Sequence, residues 1–82
     1  MTKIELSEKF KSQLRKVKDE KLRDSVEKTL KDLLEDPNIG KPLRYSFKGF
    51  RVMRIGKYRL IYAIEGDEVK VYAIKHRKKV YK

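Results

Sequence analysis

Hydrophobic residues in the first half of the chain recur at two spacings, which predict a short strand followed by two helices. Residues 1–6 alternate between apolar and polar side chains and predict a strand that ends at Ser7, a residue type suited to cap a helix. After Ser7 the apolar residues recur every three or four positions, with a break near Lys18 and Asp19. This pattern predicts two amphipathic helices in a hairpin, carrying first Phe10, Leu14 and Val17, then Leu22, Val26, Thr29 or Leu30, Leu33 and Leu34.

From Phe50 onward the apolar residues alternate with polar ones, which predicts three strands in a meander. The preceding segment 36–40 contains Pro and Gly and is expected to end the second helix. Gly56-Lys57 and Gly66-Asp67 each fit a two-residue hairpin turn. Such turns set a register that pairs Ile55 with Tyr58, Arg54 with Arg59, Val52 with Ile61, Glu65 with Glu68, Tyr62 with Val71, Ile61 with Tyr72, Leu60 with Ala73 and Arg59 with Ile74.

Alternation then sorts the side chains of the meander onto two faces. The face predicted to receive the helices carries Met53, Leu60, Tyr62, Ile64, Val69, Val71 and Ala73. The other face combines basic and aromatic side chains with an apolar floor, and it carries Phe50, Val52, Arg54, Arg59, Ile61, Ala63, Lys70, Tyr72, Ile74 and His76. The second face is the predicted location of a functional site.

These elements predict an α+β fold in a single domain spanning residues 1–82. A short N-terminal strand precedes a two-helix hairpin, which packs on one face of a mainly antiparallel sheet of about four strands. The other face is open. Alternation does not determine which strand lies beside the first one.

The composition excludes two common ways in which small domains are stabilised. The 82 residues include no Cys and one His, which excludes a disulfide framework and a structural zinc site. No apolar run approaches the roughly 20 residues that span a bilayer, and the N-terminus is unlike a signal peptide. We therefore expect a soluble, cytoplasmic protein without a membrane partner.

Positive charge is concentrated in the second half of the chain. The whole chain has 23 Lys and Arg against 12 Asp and Glu, a net charge of +11. Residues 41–82 hold thirteen of the basic residues and three of the acidic ones, which gives +10 for that half. Such asymmetry indicates an anionic partner, with nucleic acid, an acidic membrane or an acidic protein as the candidates.

Two arginines face each other in the predicted sheet and mark the candidate site. Arg54 opposite Arg59 is unfavourable in a free sheet, which predicts an anion between them, and two guanidinium groups suit a phosphodiester. The alternative is that both guanidinium groups splay into solvent or pair with Glu65 or an N-terminal acidic residue. His76, predicted on the same face, is suited to proton transfer near neutral pH. The basic end adds Arg77, which could stabilise phosphorane charge, Tyr81, which could move a proton or stack on a base, and the lysines Lys78, Lys79 and Lys82.

Several kinds of chemistry have no support in the sequence. The acidic residues of the second half cluster at one hairpin tip, which argues against a two-metal nuclease. There is no P-loop, no Gly-rich dinucleotide turn and no Ser-His-Asp pattern. A metal-free enzyme acting on nucleic acid would use the 2′-hydroxyl of RNA as its nucleophile, with Arg stabilising charge and His, Tyr or Lys moving protons.

Three motifs together give the chain a family resemblance. They are Lys41-Pro42-Leu43, the pattern R-x-G-x-Y-R-x-x-Y from Arg54 to Tyr62, and the closing H-R-x-x-V-Y from His76 to Tyr81. With the order strand, helical hairpin and strands, the chain resembles RelE toxins of the RelE/ParE superfamily over nearly its whole length. Because the sequence ends one residue after Tyr81, the C-terminal helix of longer members is not expected.

The resemblance implies a toxin that enters the ribosomal A site and cleaves mRNA by 2′-hydroxyl attack, without a cofactor or metal. It also implies an acidic, RelB-like antitoxin as partner. Carried over by position, Arg54 and Arg59 would hold the scissile phosphate, Arg77 would assist, and His76 and Tyr81 would move protons or stack on mRNA. The basic residues expected to contact RNA are Lys48, Arg51, Lys78 and Lys79. The general base stays open.

Two other functions fit the same fold. A ParE-like protein would inhibit DNA gyrase by binding, and Arg59, His76 and Tyr81 would then be individually dispensable. A relative that only binds nucleic acid would show steep salt dependence and no cleavage.

Overall fold

The structure is a computed structural model that describes residues 2–43 and 49–80, with side chains through Lys78. The elements are β1 (Lys3–Leu6), α1 (Glu8–Arg15), α2 (Glu20–Glu35), a 3₁₀ turn (Pro37–Ile39), β2 (Lys41–Pro42), β3 (Phe50–Ile55), β4 (Tyr58–Glu65), β5 (Glu68–His76) and α3 (Arg77–Val80). None of the described helices combines the length and the apolar character needed to cross a membrane.

Both long helices begin at a capping side chain. The Ser7 hydroxyl accepts a hydrogen bond from the Phe10 N–H at 3.0 Å, which confirms the predicted cap of α1. Asp19 caps α2 by accepting from the Lys21 N–H at 2.9 Å, at the predicted break between the helices. Helix α2 ends at the Pro-containing segment, as expected, because Pro37 cannot donate a helical hydrogen bond.

The sheet is mainly antiparallel and has the strand order β1-β5-β4-β3-β2. The α+β prediction is confirmed, and the described sheet has five strands because the two-residue β2 adds an edge beside β3. Strand β1 lies parallel to β5, with Ile4 opposite Val69 and Leu6 opposite Val71. The helical hairpin follows β1 and covers one face of this sheet.

The core lies between the helices and the sheet. Phe10, Val26 and Leu33 are fully buried from the helical side. They belong to one cluster with sheet residues, namely Ile55, Leu60, Tyr62, Val69, Val71 and Ile74. Burial of this apolar surface provides the main driving force for the packing of the helices on the sheet.

The predicted register is correct around both turns and fails in the middle of β5. Arg54 lies opposite Arg59, and Tyr62 lies opposite Val71, as expected. Ile61, however, pairs with Ala73, so Tyr72 is an extra residue in β5, which makes a β-bulge. The residues after Tyr72 therefore change faces. The observed pairs are Leu60 with Ile74, Arg59 with Lys75 and Tyr58 with His76.

This bulge makes three face predictions wrong. Ile74, predicted on the open face, is buried in the core, and Ala73, predicted in the core, lies opposite Ile61 on the open face. His76, predicted beside Arg59, pairs with Tyr58 on the helical side. Lys75 takes the position opposite Arg59 instead.

Side chains of the N-terminal region satisfy the backbone of β5 at the bulge. The Ser7 hydroxyl donates a hydrogen bond to the Tyr72 carbonyl at 2.7 Å. The Gln13 side-chain oxygen accepts from the Ile74 N–H at 2.9 Å. Because β1 ends at Leu6, these two side chains take over the hydrogen bonds of the β5 edge beyond the last paired residue.

Candidate nucleic-acid interface

The open face of the sheet consists of side-chain rows that run across the strands. One row contains only cations, because Arg54 lies opposite Arg59 and Arg59 lies opposite Lys75. We call Arg54, Arg59 and Lys75 the cation row. Neighbouring strands are about 4.8 Å apart, so the three side chains start close together on a rigid support. Like charges in directly opposite positions destabilise a sheet, and a bound anion would offset that cost.

Arg59 is the central and least exposed member of the cation row. Its side chain is 9 % exposed, and Nη1 donates to the carbonyl oxygens of Tyr58 at 2.9 Å and Gly56 at 3.2 Å. These hydrogen bonds hold the guanidinium group against the β3–β4 turn. Among the described residues its Nε and Nη2 make no hydrogen bond, so they can donate in parallel to an oxyanion.

The charge of the cation row is not neutralised within the described part of the chain. No carboxylate in residues 2–43 or 49–80 lies within 4.0 Å of the basic groups of Arg54, Arg59 or Lys75. Lys70, on the same face, instead pairs with Glu65 at 2.8 Å. The hydrogen bond that the Lys70 ammonium group donates to Glu65 raises the pKa of Lys70. On the open face, the cation row thus differs from Lys70 in having no carboxylate partner among the described residues.

A shallow cleft of about 310 Å³ lies beside Arg54 and Arg59. Its lining includes Ile39 and Lys41 from the adjoining loop and β2, and Val52 from β3. Lys41 is exposed and lies opposite Val52 at the edge of the sheet. The cleft thus offers two Arg, one Lys and apolar side chains to a ligand, a combination that suits a phosphate group attached to an organic moiety.

His76 occupies a different place from the predicted one. Its ring lies 5.6 Å from that of Tyr58, in an edge-to-face arrangement. Its Nδ1 accepts a hydrogen bond from the Lys78 N–H at 3.3 Å, which caps the start of α3. This hydrogen bond places the proton of a neutral imidazole on Nε2.

The basic end of the chain begins beside the cation row. The Arg77 N–H donates to the Lys57 carbonyl at 2.8 Å, which ties the first residue of α3 to the β3–β4 turn. Arg77 and Lys78 are both exposed. Lys79 belongs to α3 by its backbone, while the side chain of Lys79 and the whole of Lys48 and Tyr81 lie outside the described residues.

Arg51, predicted to contact RNA, has a protein partner on the helical side of the sheet. It pairs in register with Tyr62, and its Nη1 donates to the carbonyl oxygens of Gly40 at 2.6 Å and Asn38 at 3.3 Å. The guanidinium group therefore holds the loop that leads into β2. Contact of Arg51 with RNA stays a prediction, and the cation row does not include it.

Lys75 and Lys41 are site residues that were not predicted from the sequence. Lys75 was not predicted because a regular register, continued past Tyr72 without a bulge, places Ile74 opposite Arg59. Lys41 lies in a recognised motif, but its position beside Arg54 depends on the pairing of β2 with β3. The sequence did contain a signal for Lys75. Ile74 is more suited to the core than Ala73, and a bulge at Tyr72 is what places Ile74 in the core and Lys75 on the open face.

Comparisons with known proteins place this geometry in a family. The family model of the ParE toxin of type II toxin-antitoxin systems matches residues 4–81. In the RelBE2 toxin-antitoxin complex from Mycobacterium tuberculosis, one chain is 30% identical, with a TM-score of 0.80, and the match covers 93% of this chain and 98% of that one. A search of the curated proteins gave no match.

Two more distant structures share the fold. A chain of the intact RelBE toxin-antitoxin complex of E. coli is 20% identical, with a TM-score of 0.78 and coverage of 93% of this chain and 96% of that one. A chain of the chromosomal ParDE system from P. aeruginosa is 16% identical, with a TM-score of 0.75 and the same two coverages. The match to the family model over nearly the whole chain is decisive: the chain belongs to the ParE toxin family of type II toxin-antitoxin systems, within the RelE/ParE superfamily.

Proposed function

We propose that this toxin is a metal-independent endoribonuclease that cleaves mRNA in the ribosomal A site and so inhibits translation in the cytoplasm. The observation that carries the proposal is the cation row, in which Arg54, Arg59 and Lys75 lie side by side without a carboxylate partner among the described residues. Three cations on a rigid sheet suit the negative charge that accumulates on a phosphate during cleavage.

In the proposed reaction the RNA supplies its own nucleophile. The 2′-oxygen forms a bond to the adjacent phosphorus while the bond from phosphorus to the 5′-oxygen breaks, which leaves a 2′,3′-cyclic phosphate and a 5′-hydroxyl group. The 2′-hydroxyl loses a proton, and the departing 5′-oxygen gains one. Arg54 and Arg59 hold the phosphate and stabilise its charge, with Lys75 and Arg77 assisting.

Proton transfer is assigned to Lys75, at one end of the cation row, and to Tyr81. Lys75 lies directly opposite Arg59, and Tyr81 follows α3 in the sequence. His76 caps α3 on the helical side, so we propose that it acts by positioning this helix and the residues after it.

The first test is cleavage during translation in vitro, mapped by primer extension on the mRNA. Arg59→Ala is expected to lower the cleavage rate by about 100-fold, because a preorganised charge-stabilising group is lost. Arg59→Lys is expected to retain part of the rate, since lysine is a point charge without the planar fork. Arg15→Ala, which removes an exposed arginine from the last turn of α1, is the control.

Wild-type protein that leaves the mRNA intact, or an Arg59→Ala variant that cleaves like the wild type, would contradict the nuclease proposal. A ribosome-free reaction run in parallel tests whether cleavage depends on the ribosome.

The role of His76 is tested by comparing His76→Ala with His76→Asn in the same assay. Asparagine is a good helix cap and cannot carry a proton between the reacting oxygens, so a positioning role predicts that His76→Asn retains most of the activity. His76→Ala is expected to lose about tenfold, since α3 then lacks its cap. Equal, severe losses in both variants would instead make His76 a proton carrier.

Partnership with an acidic, RelB-like antitoxin is proposed on two grounds. Two of the similar structures are toxin-antitoxin complexes, and the cation row of this chain has no carboxylate partner among the described residues. Mixing the toxin with an acidic antitoxin encoded beside it should give a complex that survives gel filtration at low salt. Separate elution of the two proteins would contradict this proposal.

Inhibition of DNA gyrase is the second candidate function, and the match to the ParE family model favours it. A supercoiling assay with purified gyrase separates the two candidates. Inhibition of supercoiling that is unaffected by Arg59→Ala, together with intact mRNA in the translation assay, would establish gyrase inhibition by binding.

A further inference from the structure

Beyond the cation row, the open face has a second feature that the proposed cleavage does not use. An apolar cleft of about 450 Å³ is lined by Phe50, Ile61, Tyr72 and Ala73 of strands β3, β4 and β5, and by Ser7 at the start of α1. Lys9 and Lys75 line its rim, so Lys75 belongs both to the cleft and to the cation row. We call this space the aromatic cleft.

The β-bulge creates the aromatic cleft. Because Tyr72 is an extra residue, Tyr72 and Ala73 both lie opposite Ile61, and a small side chain stands next to a large ring. The Tyr72 ring is 5.2 Å from that of Phe50 in an edge-to-face arrangement, which leaves part of the ring surface uncovered. Tyr72 is 36 % exposed and follows Val71, the last residue of β5 that pairs with β1.

The charges around the aromatic cleft favour one kind of occupant. Among the residues that line it, the charged ones are lysines. Residues two apart along a strand are about 6.7 Å apart, so the cleft lies one residue row from Arg59. Aromatic rings beside a positively charged track are the combination that binds single-stranded nucleic acid, in which bases stack on rings and phosphates contact cations.

We propose that the aromatic cleft binds one RNA base, whose neighbouring phosphate lies on the cation row. This inference rests on the proposed function and extends it by a base-binding subsite. The base stacks on the exposed surface of Tyr72 and contacts Ile61, while Lys75, which belongs to both sites, contacts the neighbouring phosphate together with Arg59. Because a stacked base contributes binding without hydrogen-bond readout, the subsite is tolerant of base identity.

The test is the binding of a fluorescently labelled hexanucleotide RNA at low salt. A 2′-O-methyl group on every sugar prevents 2′-hydroxyl attack, so the assay measures binding alone. Abasic nucleotides replace each base in turn. For the wild type, one position is expected to weaken binding by about tenfold when its base is removed, which is the usual size of a stacking contribution.

Two variants of one residue connect this effect to the cleft. In Tyr72→Leu, which keeps an apolar side chain and removes the ring, removal of that same base should weaken binding less than about twofold. Tyr72→Phe restores the ring and should restore the dependence on the base. Leu34→Ala, an exposed residue of α2, is the control, and thermal unfolding verifies that each variant is folded.

Three outcomes would overturn the base-binding subsite. They are an abasic scan with equal effects at every position, a Tyr72→Leu variant with the same dependence on the base as the wild type, and no RNA binding at low salt. Loss of antitoxin binding in Tyr72→Leu with unchanged RNA binding would assign the cleft to a protein segment and would also overturn the proposal. The translation assay with Arg59→Ala is scored separately, so either proposal can fail alone.

Discussion

Tyr62 connects the centre of the sheet to the loop that leads into β2. Its side chain is fully buried, and its hydroxyl donates to the Pro37 carbonyl at 2.7 Å and accepts from the Gly40 N–H at 3.0 Å. A Cβ on Gly40 would lie 2.5 Å from this hydroxyl oxygen, so the close approach requires glycine. Together with the Arg51 guanidinium group, Tyr62 keeps β2 and Lys41 at the edge of the cleft.

Removal of this one hydroxyl group should affect stability in a pH-dependent way. Burial raises the pKa of Tyr62 above its ordinary value of 10.0. The folded state therefore holds the proton more tightly than the unfolded state, and this stabilisation is lost as the pH rises from about 10 through the raised pKa. Tyr62→Phe is expected to be about 1–3 kcal/mol less stable near neutral pH, since two hydrogen bonds are lost.

The measurement is urea unfolding from about pH 7 to about pH 11 for the wild type, Tyr62→Phe and Tyr58→Phe. The free energy of unfolding of the wild type should fall more steeply above about pH 10 than that of Tyr62→Phe. Tyr58→Phe, which removes a hydroxyl group that makes no hydrogen bond to the described residues, should follow the wild type. Parallel curves for the wild type and Tyr62→Phe would refute this role of the phenol.

At the scale of elements, the bulge in β5 decides the composition of the candidate site. A strand without the extra residue would place Ile74 opposite Arg59 on the open face and would turn Lys75 toward the helices. With the bulge, Ile74 joins the core and Lys75 completes the cation row. One irregular residue thus puts the charged Lys75 on the open face and the apolar Ile74 on the helical face, the reverse of a regular strand.

The function of the bulge can be tested with two lysines of the same strand and face. Lys75→Ala is expected to lower the rate of mRNA cleavage by about tenfold, because Lys75 assists charge stabilisation beside Arg59. Lys70→Ala is the matched control, since Lys70 is paired with Glu65 and lies away from the cation row. The translation assay with primer extension measures both, and equal rates for the two variants would refute the role of Lys75.

At the scale of the whole molecule, one face of the sheet forms the core and the other carries the candidate site. The helices bury one face, while the other face keeps its cation row free of carboxylates within the described residues. The helical half is nearly neutral, whereas residues 41–82 have a net charge of +10. Association with an anionic partner should therefore be fast and strongly dependent on salt.

The affinity for the 2′-O-methylated hexanucleotide RNA should depend on salt concentration as expected for counterion release. Three phosphate contacts on the cation row predict that log K falls with log salt concentration with a slope of about −2. Lys75→Ala should make this slope shallower by about 0.7, because one contact is lost. Lys11→Ala, which removes a lysine paired with Glu8 on α1, should leave the slope unchanged, and a slope near zero for the wild type would contradict the proposed interface.

Local patterns in the sequence determined the helices, their breaks and the register next to each turn. Ser7 and Pro37 act on neighbouring residues, and two-residue turns at Gly56 and Gly66 align the strands that they join, so short windows contain enough information. The concentration of positive charge in residues 41–82 likewise follows from counting charged residues in the sequence. These features were predictable because their causes lie within a few residues along the chain.

Only the tertiary structure determined which side chains in the second half of β5 face the helices and which lie on the open face. The backbone groups at the bulge form hydrogen bonds with distant side chains. The Tyr72 carbonyl bonds to the Ser7 hydroxyl, 65 residues away, and the Ile74 N–H bonds to Gln13, 61 residues away. Core packing selects Ile74 over Ala73 for the buried position. Alternation along one strand carries no information about such distant partners. A shift of one residue moves every later side chain of the strand to the opposite face. For that reason the sequence could predict Arg54 opposite Arg59, while Lys75 beside them, and His76 on the other face, required the folded chain.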